Sequence, residues 1–220
     1  MADRSQTTDL LLRWHAGERA ALETILERDM PWLREYVRRR LGPVLRRGGE
    51  TQDFVQDAVI SVLQYGPRFV VADHDQFRAL LGRIVTNMLR DEHDWLTAAR
   101  RDLRREQAIP TASSVHLDFA SVSATQPGDA AAASEERTWL RVGIELLQPE
   151  DRRVILLRDF QDKSFKEMAT ELGVEEDAAR MRYNRALPRL ASVINRLRQG
   201  RLDALLAKDD GGPDAAPPRP

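Results

Sequence analysis

Apolar residues recur every three or four positions along nearly all of this chain, and that rhythm stops once, between residues 109 and 133. Apolar positions at i, i+3, i+4 and i+7 share one face of a helix. No segment alternates convincingly with a period of two, so the expected fold class is all-α. The interruption argues against one continuous core. It holds Pro110, Ser113, Ser114, Ser121, Ser123, Pro127, Gly128 and an alanine run, a composition that reads as a flexible linker. A coil of roughly 25 to 35 residues has ends about 30 Å apart. A loop of that length inside one compact domain would be anomalous. Two small helical domains joined by a tether are therefore expected. The divisions are an N-terminal helical extension over 1–28, a first domain over 29–106, a linker over 107–134, a second domain over 135–200 and a disordered tail over 201–220.

In the first half, residues 8–27 read as one helix with Leu11, Trp14, Ala21, Leu22 and Leu26 as apolar contacts. Asp29 is placed to cap a second helix with Pro31 in its first turn. Thr51 is expected to cap a third. Its buried stripe is Phe54, Val55, Ala58, Val59 and Val62, and Asp53, Gln56 and Asp57 fall on the other side. Tyr65-Gly66-Pro67 is read as its end. Asp75 is expected to cap a long fourth helix that buries Phe77, Leu80, Leu81, Ile84 and Met88. Arg83, Asn87, Arg90 and Asp94 then form a polar stripe opposite.

The 220 residues include no cysteine, which excludes a disulfide scaffold, a zinc–thiolate site and a cysteine nucleophile. No apolar run approaches the roughly 20 residues that span a bilayer, and residues 1–9 lack a signal-peptide pattern. A soluble cytoplasmic protein with no membrane association is expected. There is no phosphate-binding Gly loop and no plausible catalytic triad among four scattered histidines. No catalytic residue, metal ligand or cofactor is therefore assigned. Asp73, His74 and Asp75, like Asp91, Glu92, His93 and Asp94, read as capping and polar residues rather than metal ligands. The net charge is −1, but nucleic-acid binding needs a local basic face rather than a basic total. Lysine occurs only at 163, 166 and 208, so nearly every cation is Arg. Arg forks onto phosphate and guanine edges; genomic base composition explains the same bias.

The second half is compact. A helix over 135–147 turns Trp139, Leu140, Ile144 and Leu147 inward, and Pro149 starts another that carries Val154, Leu157 and Phe160. Ser164-Phe165-Lys166-Glu167 has the form of a capping box. Gly173 follows where a positive φ is needed. A last helix from about Glu175 to Leu197 buries Ala179, Tyr183, Ala186, Leu187, Leu190, Ile194 and Leu197, and Pro188 should kink or shorten it. A short helix, a tight Gly turn and a longer helix make a helix-turn-helix. With the buried stripe subtracted, the last helix exposes Arg180, Met181, Asn184 and Arg185, with Asp177 at its start and Arg182 off that face as a phosphate or structural contact. Arg reads guanine O6 and N7, and Asn reads adenine N6 and N7. The same face also suits an ordinary solvated helix bundle.

Longer stretches carry a resemblance. Leu147-Gln148-Pro149-Glu150-Asp151-Arg152-Arg153-Val154-Ile155-Leu156-Leu157-Arg158, then Ser164-Phe165-Lys166-Glu167-Met168-Ala169-Thr170-Glu171-Leu172-Gly173, then Ala178-Ala179-Arg180-Met181-Arg182-Tyr183-Asn184-Arg185-Ala186-Leu187 resemble the fourth conserved region of bacterial sigma factors. Asp53-Phe54-Val55-Gln56-Asp57 resembles that family's Asp-Leu-Val-Gln-Asp motif. Phe77-Arg78-Ala79-Leu80-Leu81-Gly82-Arg83-Ile84-Val85-Thr86-Asn87 resembles its helix that reads the −10 promoter element. The chain is similar to the small extracytoplasmic-function (ECF) class of the sigma-70 family, which keeps only regions 2 and 4.

The resemblance implies a factor that directs promoter-specific initiation and assists DNA melting without catalysing a reaction. Its implied partners are core RNA polymerase, through the clamp helices of the largest subunit, and promoter DNA, with an anti-sigma factor as a further candidate. Asp53, Gln56 and Asp57 would face the polymerase. Arg83, Asn87 and Arg90 would line single-stranded −10 DNA, with residues 69–76 bordering a pocket for a flipped base. Arg180, Met181, Arg182, Asn184 and Arg185 would meet the −35 duplex. Where the family commonly has Ser or Thr, this chain has Glu175 and Ala178, which removes two phosphate-contacting hydroxyls. Two other readings remain: a helix-turn-helix regulator that works without polymerase, and a sigma-like module that only titrates a partner.

Overall fold

The structure, a computed structural model, describes residues 2–63, 71, 73–103 and 127–206, with side chains for these apart from residues 2–5, 98–103, 127–135 and 204. Among the described residues every regular segment is helical. They fall into two compact units, one built on the first four helices and the other on the helices after residue 126.

In the first unit, α1 (Ala2–His15) and α2 (Arg19–Arg40) are two helices where one was expected over 8–27. Gly17 breaks the run with φ +98°, a left-handed conformation that costs a residue without Cβ little. Leu11, Trp14, Ala21, Leu22 and Leu26 are buried all the same, because the reversal folds one apolar face onto the other.

Asp29 does not cap a helix. It lies in the middle of α2, which runs on through Pro31, so the division expected between residues 28 and 29 falls inside one helix. Pro31 leaves the Glu27 carbonyl without its helical donor. Both residues are exposed, which leaves this position open to solvent. The Asp29 carboxylate is buried and accepts hydrogen bonds from His74 Nε2 at 2.8 Å and Arg78 Nη2 at 2.6 Å, which pins α2 to the start of α4.

A 3₁₀ turn at Leu45–Arg47 leads to α3 (Thr51–Leu63). Thr51 is already helical. The cap contact comes from Asp53, whose Oδ2 accepts the Glu50 N–H at 2.8 Å. The first turn of α4 (His74–Leu103) is likewise capped by Asp73, not Asp75: Asp73 Oδ1 accepts the Gln76 N–H at 2.8 Å. Phe77, Leu80, Leu81, Ile84, Val85 and Leu89 of α4 are buried, and Met88 is half-buried. The expected stop at Tyr65-Gly66-Pro67, and residues 69, 70 and 72 of the expected pocket border, lie outside the described residues.

In the second unit, α5 (Pro127–Glu145) begins at Pro127 rather than at Glu135. Residues 127–134, expected in the linker, are helical because Pro suits the first helical position and the alanines that follow are the strongest helix formers. The rest of the expected linker, residues 107–126, is outside the described residues. After α6 (Pro149–Ile155) the chain makes one π-helical turn at Leu156–Phe160, then α7 (Phe165–Leu172) and α8 (Glu176–Arg198). The core gathers Ile144, Leu147, Val154, Ile155, Met168 and Ala179. Pro188 does not end α8. It and Asn184, whose carbonyl loses its helical donor, are both exposed, which leaves this position open to solvent. The expected disordered tail contains a short helix, α9 (Leu202–Leu206), because Leu202 and Leu205 are buried; residues 207–220 are outside the described set.

Candidate nucleic-acid interface

The turn between α7 and α8 is built from local chemistry. The Glu167 N–H donates to Ser164 Oγ at 3.3 Å, and the Ser164 N–H returns a bond to Glu167 Oε2 at 2.8 Å. The Ser164 hydroxyl also donates to Glu167 Oε2 at 2.6 Å, and that bond first, then the Ser164 N–H, holds the Glu167 carboxyl below its ordinary 4.5. At the far end Gly173 takes φ +65°, and the Val174 N–H reaches the Ala169 carbonyl at 3.0 Å. Only a residue without Cβ makes that reversal cheaply.

The α8 face that this turn presents carries Arg180, Met181, Asn184 and Arg185, all exposed, with Asp177 in the first turn. Arg182 is exposed too, on the flank of that arc. Leu187, expected in the buried stripe, is 40% exposed. It sits one helical step beyond buried Ala186, on the border between the two faces. Behind the arc, Tyr183 donates to Asp159 Oδ1 at 2.7 Å. Partial burial, then that carboxylate, pushes its phenol up to about 12. Arg189 Nη1 donates to both carboxylate oxygens of buried Asp151, at 2.7 and 2.8 Å, tying α8 to α6. The arrangement is a helix offering two guanidinium forks, an amide and a thioether on one exposed face, a set suited to base edges in a major groove.

In the first unit, Asp53 and Gln56 are exposed and Asp57 is half-buried on one side of α3. Ile60 and Leu63, 38% and 47% exposed, continue that side toward the helix end. They fall at i+7 and i+10 from Asp53, so carrying the stripe one turn further would have found them. On α4, Glu92 is raised above the usual carboxylate range, by partial burial first and then by Asp57 and Asp91. The acidic face of α3 therefore extends across its seam with α4.

The stripe expected on α4 is only partly a surface. Arg90 is exposed and Arg83 half-buried, but Asn87 is 1% exposed. It is not on an accessible nucleic-acid face. Packing of α4 against α1, α2, α3 and the 3₁₀ turn widens the buried arc until it takes in Asn87, which a single wheel places on its edge.

The pattern of "Sigma-70 region 2" matches residues 25–106, and that of "Sigma-70, region 4" matches residues 137–190, in that order along the chain. The chain belongs to the ECF class of the sigma-70 family. It is a promoter-recognising sigma factor that directs transcription initiation, partners core RNA polymerase and promoter DNA, and is itself non-catalytic. It is 28% identical over 180 residues to the ECF RNA polymerase sigma factor SigD of Mycobacterium tuberculosis, covering 81% of this chain and 79% of that one. It is 24% identical to the sigma factor CarQ of Myxococcus xanthus over 84% of this chain and 95% of CarQ. It is 29% identical to the sigma-E factor of Streptomyces avermitilis over 73% and 83%. The α7–α8 turn and the exposed α8 arc of this sigma factor lie within the region 4 match, and the α3 face and α4 stripe lie within region 2. Among its described residues no helix is long and apolar enough to cross a membrane.

Proposed function

We propose that this sigma factor grips its promoter at two points while riding on the polymerase in the cytoplasm. Residues 135–200, with the helical run before them, act as region 4 and lay α8 in the major groove of the −35 element. Arg180, Met181, Asn184 and Arg185 meet base edges there, and Arg182 meets phosphate. Residues 29–106 act as region 2, braced by the α1–α2 hairpin. Asp53, Gln56 and Asp57 face basic helices of the largest polymerase subunit, and Ile60 and Leu63 add an apolar end to that contact. Arg83 and Arg90 run along the melted −10 strand and assist its opening, with Asn87 left to the core. Residues 107–126 tether the two units. An anti-sigma factor competing for the α3 face or for α8 is the expected kind of antagonist.

The observation that carries this reading is the exposed Arg180–Asn184 arc emerging from the Gly173 turn. Reconstituted transcription tests it. Core polymerase plus the chain should start RNA at defined promoters. Arg180→Ala should lower those transcripts roughly tenfold, the loss of one bidentate base contact, while the chain is still retained by the polymerase. Unchanged initiation by the variant, or none by the wild type, would overturn it.

A further inference from the structure

Arg180 already has neighbours before any DNA arrives. Its Nη2 lies 3.1 Å from Glu176 Oε1, and its Nη1 lies 3.5 Å from Asp177 Oδ1. Its guanidinium carbon sits 5.3 Å from the centre of the Phe165 ring on α7. A helical side chain leans toward its own N-terminus, so Arg180 covers the turn that holds both acids. The ring beneath it is fixed in turn. Phe165 meets Tyr183 edge-on at 5.9 Å, and Tyr183 is bonded to Asp159 of the π-helical turn. Arg182 and Arg185, on the same helix, form no ion pair with a described residue.

These pairs are exposed and add little to folding. Their position is what matters. A long cation free at the tip of a recognition helix swings to the nearest phosphate of any sequence. Braced by two carboxylates and a ring, the fork is biased toward one orientation, and it gains most where guanine O6 and N7 stand opposite. The same carboxylates repel the phosphates on both sides of the groove, which weakens binding to every sequence alike. A device of this kind lowers affinity and raises selectivity.

Resting on the reading of α8 as the −35 helix, we propose that Glu176 and Asp177 are positioning residues for Arg180. They make its contact selective for one G·C pair in the −35 element at the expense of general DNA affinity.

The test uses holoenzyme reconstituted from core polymerase and the full chain. It transcribes templates built on a promoter mapped from transcript 5′ ends, with the −35 positions randomised, and the transcripts are sequenced. Four chains are compared: wild type, Arg180→Ala, the pair Glu176→Gln with Asp177→Asn, and all three substitutions together. Arg180→Ala should flatten the preference at one position. The pair should weaken preference at that same position about two- to fivefold, the range of an exposed ion pair, while output from the poorest templates rises. In the Arg180→Ala background the acid substitutions should leave the base preference at every position unchanged.

If the pair alters all positions equally, or acts as strongly without Arg180 as with it, the acids are only a repulsive field. The inference then fails while the −35 reading stands. If Arg180→Ala changes no position, both fail together. Retention of every variant by core polymerase verifies that the chains are folded.

Discussion

Ser164 and Glu167 show how much of the turn into α7 rests on single polar groups. Each satisfies a backbone donor that the start of α7 would otherwise leave bare. Ser164→Ala should cost about 1 kcal/mol of stability, as the loss of a helix cap usually does, read as a lower thermal midpoint. The pH dependence follows from the Glu167 carboxyl lying below its ordinary 4.5 in the folded chain. The ionised form is the one the fold prefers, so the contribution is complete above the unfolded value and is lost as pH falls through the lower folded one. Thermal unfolding followed from about pH 6 to about pH 3 should show Glu167→Gln losing less stability than wild type over that range. This cap was legible as a four-residue pattern because every partner lies within one turn. Asn87 was not, because its burial depends on four segments distant in sequence converging on α4.

Helices fix where these groups stand, and the junction of α2 with α4 turns on Asp29. A carboxylate with 1% exposure in mid-helix is tolerable only because His74 and Arg78 meet it. Asp29→Ala would strand the His74 and Arg78 groups that face it. It should cost about 3 kcal/mol, the lower end for a broken buried pair because Arg78 is partly exposed, with Asp29→Asn milder. The urea midpoint of the full chain measures it. Asp followed two residues later by Pro is a strong local signal for a helix start, and here it misleads. What keeps α2 going is burial of Ile25, Leu26, Leu33 and Val37 along one continuous face. Conversely, the break at Gly17 left the apolar rhythm unmarked, since both arms of a hairpin keep the same spacing.

Two compact units in a chain of net charge −1 constrain how DNA is bound. With no excess of cations overall, long-range attraction to DNA is weak. The exposed cations of the α8 arc are few: Arg180, Arg182 and Arg185. Titrating the free chain with −35 duplex should therefore give a log–log salt slope no steeper than about −3, the limit even if all three sat on phosphates. A slope near that of a self-sufficient repressor would contradict a factor that depends on polymerase to reach its promoter. The split into two units was readable because a stretch without apolar rhythm separates two stretches that have it. Its exact ends were not, since Pro127 and the alanines after it suit a helix start as well as a linker.

Local order in the chain was enough to specify helical periodicity, the Ser164 box, the Gly173 turn, the outward arc of Arg180, Met181, Asn184 and Arg185, and the acidic face of α3. Each depends on neighbours a turn or two away. Tertiary packing settled what local order leaves open: Asp29 is an anchor rather than a cap, Asn87 is core rather than surface, and Arg180 rests on a ring supplied by another helix. Burial is a property of what arrives from elsewhere in the chain. A residue on the border of a helical face has no fixed side until that packing is in place.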